Sequence, residues 1–309
     1  METKHLFRLF LTPSALAHAL LGFVGGLLLL SLTSQPAAFT RPALSGLLGA
    51  STLSAPNTAR PLAVLASGRV PLQEAIDSVR HLAGQPGLLL EGGLQTGDAA
   101  ARAGGVYFLE SVSPTRGEDF FTVDARTGEV IEATFRGRLA PTDTATHLTP
   151  ADAEAQAAVF ARATFWGFDG LGLVDQATRT GDTGLVYTFK WSQVTADSHA
   201  ELPVSVSVAV QGHTGQVVWY LSQRDPVQVS TQPAVAESQA VATARAWLRP
   251  RDERWNLDQP AAVRLQVLYD DDSQQRLMWS VRFTARNEHG PRASIRLLID
   301  AQTGQLVQW

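Results

Sequence analysis

One eight-residue phrase recurs three times along the 309 residues of the chain. It reads V-D-A-R-T-G-E-V at 123–130, V-Q-G-H-T-G-Q-V at 210–217 and I-D-A-Q-T-G-Q-L at 299–306. The shared glycines Gly128, Gly215 and Gly304 are 87 and 89 residues apart. A steady period of this length is typical of tandem arrays of small domains, so the sequence predicts three copies of one unit.

Each phrase follows a segment with the periodicity of an amphipathic helix. These segments span 70–82, 149–165 and 232–248. In the second segment, Thr149 stands at the N-cap, Pro150 at the first helical position and Asp152 at N3, which together are typical of a helix start. Each unit is therefore predicted to begin with one helix.

Between helix and phrase, the spacing of apolar residues changes from 3.6 to two, which indicates strands. The third unit contains the candidate strands 263–269, 276–284 and 294–300, and the closing Q-L-V-Q-W is a fourth. The second unit contains the candidate strands 185–194, 204–210 and 216–221. The first unit contains the candidate strands 105–112, 120–124 and 129–135. The predicted fold class is α+β, with three tandem units that each pack one helix on an antiparallel sheet of about four strands.

The repeated phrase is predicted to be the turn of the last hairpin in each unit. Gly128, Gly215 and Gly304 supply the positive φ that such a turn requires. Asp124 and Asp300 end the incoming strands, where a carboxylate can accept hydrogen bonds from turn amides. The alternative is a recurring anion or metal site that uses these two aspartates, and Gln211 in the middle phrase interrupts its acidic pattern.

An apolar segment at residues 14–32 follows Lys4 and Arg8. Its 19 residues contain only His18 as an ionisable group and suit a hydrocarbon core about 30 Å thick. We expect an uncleaved signal anchor, with the positive residues inside and the remainder of the chain outside the cytoplasmic membrane. The alternative is a cleaved signal peptide and a secreted protein. The following residues 34–68 are rich in Pro, Ser, Ala and Gly and are predicted to be a linker.

Composition excludes several classes of function. The net charge of −4 provides no basic field for nucleic acid, and the absence of cysteine excludes disulfides and thiolate zinc sites. The sequence contains no two-histidine metal spacing, nucleophile elbow, P-loop or dinucleotide fingerprint. We therefore expect a protein without catalytic residues, cofactor or metal, and no small-molecule substrate is evident.

Two further features have alternative interpretations. Asp270, Asp271 and Asp272 are interpreted as the solvated tip of a hairpin, and the alternative is a Ca²⁺ site. Three tryptophans fall in predicted strands: Trp191, Trp219 and Trp279. They either anchor the cores of the units or form an exposed aromatic face for a protein partner.

A helix followed by strands and closed by V-D-A-x-T-G-E-V resembles a PepSY-type domain. The second and third units, with F-K-W-S-Q-V and L-M-W-S-V-R-F before their phrases, resemble the YcdB/YcdC-type version of it. The first unit departs from that pattern, because it has Tyr107 and Phe108 where the others have tryptophan. The resemblance implies a bacterial cell-envelope module associated with restraint of peptidases and without catalytic residues. The expected layout is anchor 1–33, linker 34–68 and PepSY-like units 69–140, 141–228 and 229–309.

Three hypotheses about function follow. The favoured one is a non-enzymatic, membrane-anchored module that binds or restrains a protein partner such as a peptidase. The second is a structural, self-associating protein of the cell envelope. The third is an enzyme whose site has no recognised motif.

Overall fold

The computed structural model describes residues 68–96, 104–112, 118–138, 148–181, 184–249, 260–284 and 294–308. The anchor predicted at residues 14–32 and all of the predicted linker except Gly68 lie outside these ranges. Within them the chain is an α+β protein, with three α-helices and one mixed twelve-stranded sheet.

Helices and strands follow the same order three times, namely one helix and then four strands. The first set is α1 (Leu72–Ala83), β1 (Leu90–Gln95), β2 (Val106–Ser111), β3 (Phe120–Asp124) and β4 (Val130–Thr134). The second set is α2 (Pro150–Thr164), β5 (Gly172–Gly181), β6 (Gly184–Val194), β7 (Glu201–Gln211) and β8 (Val217–Arg224). The third set is α3 (Glu237–Leu248), β9 (Ala262–Tyr269), β10 (Gln275–Thr284), β11 (Ser294–Asp300) and β12 (Leu306–Gln308). Short 3₁₀ helices lie at Arg136–Arg138 and Phe168–Gly170.

The sheet is continuous because strands of different sets pair with one another. Its main path runs β1-β2-β3-β4-β8-β7-β9-β10-β11-β12, and β6 pairs with both β5 and β7. Strands β4 and β8 are antiparallel, with Ala133 opposite Tyr220. Strand β9 joins β7 in parallel at one position, where Glu201 lies opposite Gln266.

Helices α1 and α2 share one apolar core on the sheet. Helix α2 buries Ala153, Ala157 and Ala161, which are spaced by four residues and so form one stripe. The predicted start of this helix is confirmed, because Thr149 Oγ1 accepts a hydrogen bond of 3.2 Å from the backbone N–H of Asp152. Phe160 of the same helix packs edge-on against Tyr220 of β8, with ring centroids 5.7 Å apart.

Helix α3 covers a second core formed by β9, β10 and β11. Its buried residues are Ala240, Val241, Ala244 and Leu248. The predicted start at residue 232 is wrong, since the helix begins at Glu237. The preceding residues are extended, and the backbone N–H groups of Ala234 and Val235 donate to the carbonyl oxygen of Ala301 instead.

The three described helices all lie on the same face of the sheet. On β7, Leu202 packs against the core under α3, whereas Val204 packs against the core under α2. Residues two apart in a strand point to the same face, so the two cores are neighbours on one side. We use the name helix-free face for the opposite side, on which no helix of the described ranges packs.

Two strands were not predicted from the sequence. Strand β1 contains Gly92 and Gly93 and is mostly exposed, and β5 has a polar sequence with an exposed or half-buried side chain at every position. Both strands pair on one side only within the described residues. Neither shows the apolar alternation that identifies a half-buried strand.

Candidate functional site

The three repeated phrases form turns with the same hydrogen bonds. The side-chain oxygen of the first polar residue accepts hydrogen bonds of 2.7–3.0 Å from the backbone N–H groups two and three residues later, with Asp124, Gln211 and Asp300 as acceptors. The N–H of each glycine then donates to the carbonyl oxygen of that polar residue. The φ angles are 73° at Gly128, 71° at Gly215 and 76° at Gly304. These turns close the β3–β4, β7–β8 and β11–β12 hairpins.

Each turn aspartate therefore directs its Oδ1 at its own backbone. Burial by itself would raise the pKa of Asp300, but hydrogen bonds from Thr303, Gln302 and Arg276 outweigh it and hold the pKa below its usual value. Gln211 occupies the same place with a neutral side chain, so the turn requires an acceptor and does not require a charge. Among the described residues, no group of three or more metal-ligand side chains is placed to hold an ion.

The acidic triplet lies in the β9–β10 hairpin. Asp270 Oδ1 accepts a hydrogen bond of 2.8 Å from the backbone N–H of Gln274, and its Oδ2 pairs with the guanidinium of Arg276. These hydrogen bonds, the backbone one first, hold the pKa of Asp270 below its usual value. Asp271 and Asp272 are exposed at the tip of the hairpin. The structure favours the interpretation of this triplet as a hairpin loop.

Two of the three candidate tryptophans belong to the cores. Trp191 packs edge-on against Phe168 with ring centroids 5.3 Å apart, and the Nε1–H of Trp279 donates to the carbonyl oxygen of Val235 at 2.8 Å. Both side chains are buried under the helices, with relative exposures of 5% and 9%. The hypothesis of an exposed partner face is therefore wrong for Trp191 and Trp279, because the strand alternation directs them inward.

Trp219 lies on the helix-free face. It is half-buried, and its Nε1–H donates to Oε1 of Glu132 at 3.1 Å. Thr134 lies opposite Trp219 on one side and opposite Phe120 on the other, so both rings are on the same side of the sheet. Phe108 and Phe120 have ring centroids 5.9 Å apart, and Leu221 is 36% exposed. Aromatic and apolar side chains thus form an accessible strip across β2, β3, β4 and β8.

A cluster of charges occupies the other end of the helix-free face. Arg264 of β9 forms ion pairs with Asp175 of β5, at 3.0 Å, and with Glu201 of β7, at 3.5 Å. Glu201 also accepts from Lys190 Nζ at 3.2 Å and from Gln266 Nε2 at 2.7 Å. Glu201 is only 7% exposed, so the contacts of its two carboxylate oxygens with these three donors replace the water that burial removes.

Arg282 and Arg296 extend this cluster along β10 and β11, where they lie directly opposite each other. Burial lowers the pKa of Arg282, Asp175 opposes that effect, and Arg264 adds to it. Burial also lowers the pKa of Arg296, with Arg282 adding to the effect and Glu201 opposing it. We use the name arginine cluster for Arg264, Arg282 and Arg296.

Only part of this cluster has a local signal in the sequence. The alternation in β9 identifies Arg264 and Gln266 as polar residues of an outer face. The remaining members come from strands that are distant in sequence, and no local pattern connects Asp175, Lys190 or Glu201 with them. Only the register of the assembled sheet brings these side chains together.

No described helix combines the length and the apolar character needed to span a bilayer. A scan against protein-family models finds no match, and a search of curated proteins also finds none. A search of solved structures returns the C-terminal domain of YpeB from Bacillus megaterium, with a TM-score of 0.47 and 17% sequence identity. The alignment covers 78% of this chain and 96% of that one. A likeness at this level carries no argument about activity or partners.

Proposed function

We propose that the chain is a non-enzymatic protein of the bacterial cell envelope that binds a protein partner, such as a peptidase, through its helix-free face. It consists of three PepSY-like units, at 69–140, 141–228 and 229–309, on a linker at 34–68. An uncleaved anchor at 14–32 holds these units outside the cytoplasmic membrane. The proposal assigns no catalytic residue, cofactor or metal to the chain.

The position of the helices is the observation that carries this proposal. Because α1, α2 and α3 share one face, no helix of the described ranges covers the other face of the sheet, which is therefore available to a partner. An antiparallel sheet with one packed face normally has a solvated, polar second face. At one end of this face the aromatic strip around Trp219 and Phe120 takes the place of such polar residues, and aromatic residues are enriched at protein interfaces.

The partner is expected to cover the aromatic strip and leave the helices exposed. Leu221 and Val159 allow a matched test, because they are apolar residues with exposures of 36% and 49% on opposite sides of the molecule. A photo-crosslinking amino acid would replace either residue in the full chain in intact cells. Covalent products would then be identified by mass spectrometry.

Crosslinks from position 221 to one second protein, and none from position 159, would support the proposal. A product that contains only two copies of this chain would support the self-associating alternative and overturn the peptidase partner. Equal patterns from the two positions would overturn the assignment of the helix-free face. If the captured protein is a peptidase, its activity should fall when the purified full chain is added and recover with Trp219→Ala.

A further inference from the structure

We propose that the arginine cluster is a binding site for an oxyanion, a carboxylate or a phosphate, on the helix-free face. This inference goes beyond the proposed function, because it assigns a ligand chemistry that does not require a protein partner. It rests on the placement of Arg264, Arg282 and Arg296 and on the distribution of negative charge around them.

The three arginines are neighbours on adjacent strands. Arg282 lies opposite Arg296 in the β10–β11 pairing, and Arg264 lies opposite Ser280 in the β9–β10 pairing. Since Ser280 and Arg282 are two residues apart on one strand, all three guanidinium groups project from the same face. Side chains directly opposite in an antiparallel pair have Cβ atoms about 5 Å apart, and like charges there destabilise the sheet.

The carboxylates of this region satisfy only one of the three arginines directly. Arg264 uses Asp175 and Glu201, and Glu201 is further engaged by Lys190 and Gln266. In the described ranges, the guanidinium groups of Arg282 and Arg296 form no ion pair within 4.0 Å and donate no hydrogen bond to the protein. Among the residues that the structure describes here, four cations therefore face two carboxylates. The cations are Lys190, Arg264, Arg282 and Arg296, and the carboxylates are Asp175 and Glu201.

The environment increases the affinity expected for an anion. The side chains of Arg282 and Arg296 are half-buried, so water is already partly removed from the two charged groups, and this burial lowers the pKa of both. Electrostatic attraction strengthens as the surrounding medium becomes less polar. A guanidinium group presents parallel N–H donors that match the two oxygens of a carboxylate or phosphate. A bound oxyanion would supply acceptors to Arg282 and Arg296 and relieve their mutual repulsion.

Calorimetric titration of the purified full chain tests the site. Sodium phosphate and sodium glutarate are the two probes, and sodium chloride at matched ionic strength is the control. We expect saturable binding of one anion per chain for at least one probe and no binding of chloride. A response to phosphate alone would identify a tetrahedral ligand, and a response to glutarate would extend the site to carboxylates.

Variants separate this site from general attraction of anions. Binding should weaken at least tenfold in Arg282→Gln and in Arg296→Gln, and by less in Arg282→Lys, which keeps the charge without the planar donors. Arg162→Gln is the matched control, because Arg162 is an exposed arginine of α2 that pairs with Asp169. Circular dichroism verifies that each variant is folded. Absence of binding by both probes would overturn the proposal, as would equal affinities of the wild type and the two glutamine variants.

Discussion

Glu201 of β7 and Arg264 of β9 form an ion pair, with 3.5 Å between Oε1 and Nη1, at the place where the third set of strands joins the second. The backbone pairing of β7 with β9 is limited to Glu201 and Gln266. Side-chain contacts therefore supply much of the polar attachment at this junction. Lys190 and Asp175 add to it from β6 and β5.

Replacing Glu201 with Gln should destabilise the fold by about 2 kcal/mol, because a buried acceptor for Lys190 and Arg264 loses its charge. The two cations are 32% and 25% exposed, so water limits the loss. Urea unfolding measures the change. Asp169→Asn is the control, since the Arg162–Asp169 pair is mostly exposed and should contribute less than about 0.5 kcal/mol. Equal effects of the two substitutions would contradict the structural importance of the Glu201 contacts.

Arg296→Met should leave the free energy of unfolding unchanged or increase it. This replacement removes a partly desolvated charge that repels Arg282, and methionine can fill much of the same space. Arg138→Met should instead destabilise the fold by about 1–3 kcal/mol. Arg138 donates hydrogen bonds of 3.0 Å to the carbonyl oxygens of both Val217 and Ala83, and its guanidinium lies 3.9 Å from the centroid of the Phe135 ring. Chemical denaturation of the two variants in parallel provides the comparison, and a larger loss in Arg296→Met would refute it.

Gly304→Ala should cost about 1–2 kcal/mol, because φ is 76° there and a Cβ atom strains the left-handed backbone. The added methyl group would lie 3.6 Å from Val235 Cγ2, an ordinary contact, so the backbone accounts for the loss. Gly304→Asn should cost less, since asparagine tolerates this conformation. Gly87→Ala is the control, with no heavy atom within 4 Å and no positive φ. Thermal unfolding measures the midpoints of the variants. An equal fall for Gly87→Ala and Gly304→Ala would contradict the assignment of the loss to the left-handed backbone at Gly304.

Asp300 should contribute a pH-dependent part of the stability. Its pKa in the folded protein lies below the usual value, so the charged form favours folding. That contribution is fully present above the unfolded pKa of about 3.9 and is lost as the pH falls through the lower folded value. Asp300→Asn retains an acceptor for the turn but loses the pairing with Arg276. The wild type should therefore be more stable than Asp300→Asn at pH 7, and urea unfolding should show this difference shrinking as the pH falls below about 4. A difference that stays constant with pH would be inconsistent with the lowered pKa.

The sequence alone predicts those elements whose start or end is determined by neighbouring residues. The N-cap of α2 was predicted from Thr149, Pro150 and Asp152, because those residues act on the first turn of their own helix. The start of α3 was placed five residues too early, because the extended residues before Glu237 are held by Ala301, which is distant in sequence. Strands β1 and β5, which pair on one side only within the described residues, could not be predicted, because exposed strands need no apolar alternation.

The candidate site could hardly be predicted from the sequence, because its residues meet only through the pairing of strands that are distant in sequence. Trp219 and Trp191 both alternate with polar or smaller residues in strands, yet one lies on the helix-free face and the other under a helix. Local periodicity identifies two faces without stating which one the helix covers. The same limit applies to Arg282 and Arg296, whose opposition follows from the pairing of two separate strands.

The junction of β4 with β8 has a symmetry that limits how such units can be joined. Ala133 and Tyr220 each stand five residues after the glycine of their own phrase, and they are direct partners across the two strands. Two equivalent edges that meet in this way form an isologous contact, which is complete with two members and offers no place for a third. The third set attaches through its first strand, β9, instead. An array extended along this pattern would need to alternate two kinds of joint, so its length cannot grow by adding identical units one at a time.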